Sequence, residues 1–176
     1  MTPTRVNKEV YVADKINPVR ETDDQAIALV ERLVAENRYA AIGVKEPETG
    51  VPLVSRIGVA WSSETGLFFS ASDLSIHSKC LSLDGTCSLM LGEPGKGDGL
   101  AHPRVTLIGQ TKRLPNEALL RPALRACYVA QHPKSELYID FADFGFYVVD
   151  VERANLNGGF GKAYHLERKD LAFIGG

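Results

Sequence analysis

Between Arg38 and Ala71 the chain alternates short apolar runs with tight polar turns, and this pattern limits the fold more than any other feature. Tyr39-Ala40-Ala41-Ile42-Gly43-Val44 has strand length, and Glu46-Pro47-Glu48-Thr49-Gly50 follows it as a turn. Val51–Trp61 is a second strand, opening at Pro52 where a missing N–H is tolerated. Ser62-Ser63-Glu64-Thr65-Gly66 turns again, and Leu67–Ala71 is a third strand. Strands joined in this way make a meander.

The flanking segments read as follows. Thr22-Asp23-Asp24 starts a helix, with Ala26, Ile27, Leu29, Val30, Leu33 and Val34 on one apolar face and an end near Asn37. After the meander a polar cluster leads into a short helix, about Ile76 to Leu83. Thr86–Gly92 is a fourth strand with Cys87, Leu89 and Leu91 alternating, and His102–Leu114 a long fifth. The loop between them, Gly92–Gly99, lacks the GxxxxGK[ST] order of a nucleotide-binding P-loop. Asn116–Gln131 is helical, with Pro122 marking a kink or a late start. Phe144–Val151 is a sixth strand, Gly158-Gly159-Phe160-Gly161 a tight corner, and Tyr164–Leu166 a short addition. Many short strands and few helices, without regular βαβ alternation, imply a mainly β fold: a closed or split antiparallel barrel with peripheral helices. Residues 1–20 read as an extended arm, and 21–176 as a single domain.

Several function classes are disfavoured. The formal net charge of −2 lacks the basic excess of a nucleic-acid binder. No stretch reaches the roughly 18 apolar residues of a membrane helix. Met1–Arg20 has no apolar signal core, so a cytoplasmic location is expected. Cys80, Cys87 and Cys127 form no CxxC pair and read as reduced thiols. His77, His102, His132 and His165 lack zinc-site spacing, and no metal is expected.

The segment from Leu67 to Leu81 carries the chemistry. An apolar strand gives way to Ser70, Ser72, Ser75 and Ser78, and then to a helix bearing Lys79. A helix N-terminus offers unpaired N–H groups and a positive dipole end, so this junction suits a phosphate. Arg56, upstream, could bring a guanidinium to the same anion. The plainer reading is an ordinary serine cap, a rim arginine and a solvated lysine.

An ordered set of segments resembles a known family. These are Arg38-Tyr39-Ala40-Ala41, Pro52-Leu53-Val54-Ser55, Ser72-Asp73-Leu74-Ser75-Ile76-His77-Ser78-Lys79 and His102-Pro103-Arg104-Val105-Thr106-Leu107-Ile108-Gly109. Tyr128 through His132-Pro133, Phe141-Ala142-Asp143-Phe144 and Gly158-Gly159-Phe160-Gly161-Lys162-Ala163 complete it. Over about residues 22–171 the chain resembles the pyridoxamine 5′-phosphate oxidase-like FMN-binding split-barrel proteins, and within them the haem-utilisation (HugZ-type) branch.

The resemblance implies a six-stranded antiparallel split barrel and a homodimer with FMN at the interface. It places FMN contacts at Arg56, Ile57, Gly58 and Val59, at Ser70 and Ala71, and at Ser75, His77, Ser78 and Lys79. Arg104 falls where the oxidases place a flavin-contacting glutamine. The implied activity is an FMN-dependent oxidoreductase of unknown substrate, with none of His77, Tyr164 or His165 selected as general acid or base. The chain ends Lys169–Gly176 without the oxidases' Arg-Leu-Ala-Pro-like tail, which points away from oxidation of the vitamin. The alternative implied is a haem-binding or haem-degrading protein. There Asp143 matches the aspartate that supports the haem ligand, and His165 lies earlier than the ligand histidine itself.

Overall fold

The computed structural model describes residues 19–159 and 161–175. Residues 1–18, the bulk of the expected arm, and Phe160 in the glycine corner lie outside the described residues.

Chain order builds the barrel. After β1 (Val19–Arg20), α1 (Asp24–Glu36) begins where the Asp23 carboxylate accepts from the Ala26 N–H at 2.8 Å. Its Ala26, Val30, Leu33 and Val34 are buried, as their spacing requires. β2 (Tyr39–Lys45), β3 (Pro52–Ser62) and β4 (Gly66–Ser72) are the expected meander, each pair antiparallel. The short α2 (Ile76–Leu83) leads to β5 (Thr86–Leu91) and β6 (Arg104–Arg113). α3 (Arg121–Gln131), β7 (Phe144–Asn157), β8 (Ala163–Glu167) and a final 3₁₀ segment (Arg168–Ile174) complete the chain.

The hydrogen-bonded order is β1-β8-β7-β4-β3-β2-β5-β6, and a further β6–β7 ladder closes it into an antiparallel barrel of 6 strands, β2 to β7. The closing strand is β7, long enough to pair with β4 through Phe144–Val148, with β6 along most of its length, and with β8 through Arg153–Asn157. Closure leaves the barrel no free edge.

Two apolar clusters hold this arrangement. The barrel interior takes Ile42, Ile57, Val59, Leu67, Phe69, Leu89, Leu107 and Tyr147, among others. A second cluster lies outside the wall, where α3 packs Leu124 and Tyr128 onto Ala60, Phe68 and Phe146. Both faces of β4 are therefore covered, and its sequence is a continuous apolar run instead of an alternating one.

The element limits differ from expectation in two places. The helix expected from Asn116 starts at Arg121, which puts Pro122 in its first turn. There no N–H bond is lost and the ring has no helical carbonyl to strike. β7 runs 6 residues beyond Val151, because a register shift opposite Ile108/Gly109 exposes Glu152 and Arg153 in succession and breaks the alternation.

Candidate functional site

The expected phosphate turn exists as a built structure. Ser75 is the residue before α2, and its side chain makes no bond to the helix N–H groups. Its Oγ instead donates to the Ser72 carbonyl at 2.8 Å and lies 2.8 Å from Ser78 Oγ and 3.1 Å from His77 Nε2. The first-turn N–H groups of α2 thus have no side-chain cap, while Ser75, His77 and Ser78 form one hydroxyl–imidazole cluster. Burial depresses the His77 pKa below the ordinary 6.5, so the imidazole in this cluster is neutral at pH 7. On β4, upstream of the turn, the Ser70 hydroxyl is buried with no hydrogen-bond partner among the described residues.

The turn is braced from β6 and β7. Ser72 Oγ bonds the Asp143 carboxylate, and the Asp73 N–H donates to the Asp143 carbonyl at 2.7 Å. Arg113 grips Asp73 with two bonds of 2.9 Å. Its guanidinium reaches across β7 at Gly145, where an added Cβ would stand 2.6 Å from Arg113 Nε. Asp73 therefore faces a cation and not the serine cluster.

The other expected contacts are distributed along the wall. Ile57 and Val59 point into the barrel core, whereas Arg56 and Gly58 lie on its outer side. Arg56 is exposed, opposite Ala41, and makes no ion pair among the described residues. Lys79 is exposed in a cleft of about 300 Å3 with Glu46, Glu48 and Ile76, a cleft that Arg56 does not line.

Arg104 belongs to a different face. Successive outward positions of β6, β7 and β8 place Thr106 opposite Asn155 and Asn155 opposite His165. The next row sets Arg104 beside Asn157 and Asn157 beside Ala163. These residues, with Val19 and Tyr164, line a cleft of about 470 Å3. His165 Nδ1 lies 2.9 Å from Asn155 Oδ1. An amide oxygen only accepts, so Nδ1 carries the proton and the Nε2 lone pair is left open. Arg104 donates through Nη1 to the Leu100 and His102 carbonyls at 3.1 and 3.4 Å, which leaves its other N–H groups for an anion.

Within one chain, then, the serine turn and the Arg104–His165 face are separate. Asn155 was not anticipated from sequence. The signal was present: a corner closing at Asn157 and Ala163 fixes the pair Asn155–His165 by counting outward along the hairpin.

Comparison with known proteins gives this geometry a family. A family model described as "CREG, beta-barrel" matches residues 32–171, and the chain belongs to that family. The fold is that of the FMN-binding split-barrel superfamily, which holds FMN-binding and haem-binding proteins. Over 116 residues, 65% of its length, the chain is 28% identical to "Non-canonical heme oxygenase HOZ, chloroplastic" of Arabidopsis thaliana. It is 25% identical to the structure of a heme binding protein from Mycobacterium smegmatis, with TM-score 0.76 over 86% of this chain and 61% of that one. Atu2129 of Agrobacterium tumefaciens, of unknown function, is 28% identical with TM-score 0.75, over 85% of this chain and 60% of that one. The chain spans only 34% of the plant protein. Among the described residues no helix is long and apolar enough to cross a membrane.

Proposed function

We propose that this CREG β-barrel chain binds haem on the outer face of β6, β7 and β8, with His165 Nε2 as the iron ligand. The observation that carries the reading is the His165–Asn155 bond of 2.9 Å. Histidines that bind metals usually donate their second N–H to a fixed acceptor, which sets the tautomer and the ring plane. Arg104, two positions along the same face of β6 from Thr106, supplies a guanidinium for a haem propionate. Haem held there would supply a redox-active iron, while the chain orients it and sets access to it. Similarity to proteins named for heme binding and heme oxygenation points the same way.

The haem reading is tested by titrating purified protein with haemin. The expected result is a shifted Soret band that saturates near one haem per chain and is lost or displaced in His165→Ala. A spectrum identical in the two proteins refutes it.

A second reading, FMN at the α2 turn, has its own support in the buried Ser70 hydroxyl, unpartnered among the described residues, on the strand that leads to the uncapped helix N–H groups. FMN's phosphate carries about two negative charges. It would draw on Ser75, His77, Ser78 and Lys79, with Arg56, Ile57, Gly58, Val59 and Ala71 along the flavin and Arg104 from the second face. Under this reading the chain is an FMN-dependent oxidoreductase. Added FMN then raises the melting temperature, and Ser70→Ala with Lys79→Gln removes the gain. An unchanged melting temperature rejects it.

Joining the two faces calls for a homodimer. Proteins of this fold are typically dimeric. The outward side of β2, β3 and β5 exposes Val54 (71%), Tyr39 (51%) and Met90 (44%), an apolar surface suited to burial by a second copy.

A further inference from the structure

We propose that the cleft between the C-terminal end of α3, the start of β2 and the second half of β3 is a ligand site distinct from the His165 face, which takes a small planar aromatic carboxylate. The cleft measures about 490 Å3, and its lining includes Arg38, Tyr39, Gly58, His132, Lys134 and Ser135. It shares no lining residue with the His165 face, and shares only Gly58 with the FMN reading and Tyr39 with the surface suited to a second copy.

Its walls are rings held edge and face. His132 stacks on Tyr128 at 4.5 Å, and Tyr39 meets His132 edge-on at 5.6 Å. The imidazole is fixed by the 2.8 Å contact from Nε2 to the Val59 carbonyl, a bond in which only the ring can donate. Gly58 makes room for the stack, because a Cβ there would lie 2.6 Å from the Tyr128 hydroxyl. Exposed ring faces and edges at such a mouth favour a flat unsaturated guest.

The charge of the lining sets the sign of that guest. Arg38 and Lys134 are cationic, and among the described residues no Asp or Glu lines the cleft. Arg38 bonds the Ala35 carbonyl at 2.8 Å and Gln131 Oε1 at 3.1 Å, both neutral acceptors, so among the described residues its charge has no carboxylate partner. Burial keeps the Tyr128 phenol well above its usual pKa, so the wall adds no negative charge at neutral pH.

A buried hydroxyl adds a further polar group to this lining. Ser135 is 1% exposed and its Oγ has no hydrogen-bond partner among the described residues, although its backbone N–H is bonded to the His132 carbonyl. Buried hydroxyls in folded proteins are nearly always bonded. Ser135 lines the same cleft as the two cations, and a carboxylate oxygen that displaces the side chains covering its Oγ would supply the acceptor it lacks.

The test uses 2-naphthoate as probe and 2-naphthylmethanol as its neutral analogue, followed by calorimetry and amide shift mapping. The expected result is one saturable site with Kd near or below about 1 mM, the level a ligand of this size reaches at ordinary efficiency. Shifts should centre on Gly58 and Ser135, and the alcohol should bind at least about tenfold more weakly. Ser135→Ala should weaken the probe by about tenfold or more. The exposed Lys134→Gln, which leaves the fold untouched, should weaken it severalfold, with haem titration unchanged in both variants. Absence of saturable binding overturns the proposal, as do shifts centred on the His165 face. Wild-type affinity in both variants also overturns it and assigns the Ser135 hydroxyl to a buried water.

Discussion

Replacing Gly109 by alanine probes how the barrel closes. Gly109 lies at the register shift between β6 and β7, where it opposes Val151 while Ile108 opposes Arg153 and Glu152 has no opposite. A Cβ at Gly109 would stand 2.0 Å from the Asp150 carbonyl oxygen and 3.0 Å from Val151 Cα. Ordinary contacts begin at 3.4 Å, and the obstacle is backbone, so no side chain can swing aside. The two strands must part by more than about 1 Å at the seam. Overpacking of this kind costs roughly 1–3 kcal/mol, and each ladder bond lost with it about 1 kcal/mol more. A total of about 3–5 kcal/mol is a large share of the ~5–15 kcal/mol that holds a domain folded. With a urea slope of about 2 kcal/mol per molar, the midpoint should fall by roughly 1.5–2.5 M. Gly50→Ala is the control: its φ is +71° and nothing lies within 4 Å, so it carries only left-handed backbone strain, about 1 kcal/mol. The reasoning is refuted if the two variants unfold at the same urea concentration.

Three further outcomes are expected. Phe68→Ala removes a fully buried ring that lies 5.9 Å from Phe146 and 6.2 Å from Tyr128, and should cost about 3–5 kcal/mol in denaturant unfolding, whereas a loss under 1 kcal/mol would mean α3 is not anchored there. His77 has its folded pKa below 6.5, so the unfolded chain binds the extra proton; stability should fall as pH drops from 6.5 through the folded value, and His77→Gln should flatten that decline in urea titrations at stepped pH. Burial pushes the Cys87 thiol up to about 12, so a disulfide reagent at pH 8 should modify the half-buried Cys127 first and Cys87 only on unfolding; early labelling of Cys87 contradicts the packing.

The parts of the molecule that announce themselves in sequence are those decided by short-range physics. The Asp23 cap and the apolar stripe of α1 set its limits, and tight turns fix β2, β3 and β4 as neighbours. The late start of α3 followed from Pro122. The second half of β7 was hidden, since one extra residue against β6 inverts the inside–outside parity that marks a strand. The serine cluster before α2 is local and its proximity was readable, although the Asp73–Arg113 brace depends on Gly145 clearing a path between distant strands. Family resemblance implied a flavin contact for Arg104, and the ladder sets it beside Asn157 on the His165 face. The Ser135 cleft left no mark in the sequence, because it arises only where the end of α3 meets the start of β2 and the second half of β3.

Crystals of the protein soaked with haemin, measured at the iron absorption edge, examine the assignment of His165 without relying on activity. An anomalous peak at bonding distance from His165 Nε2, with Asn155 still bonded to Nδ1, is the predicted result. Iron coordinated by another side chain, or haem found away from the β6–β7–β8 face, contradicts it.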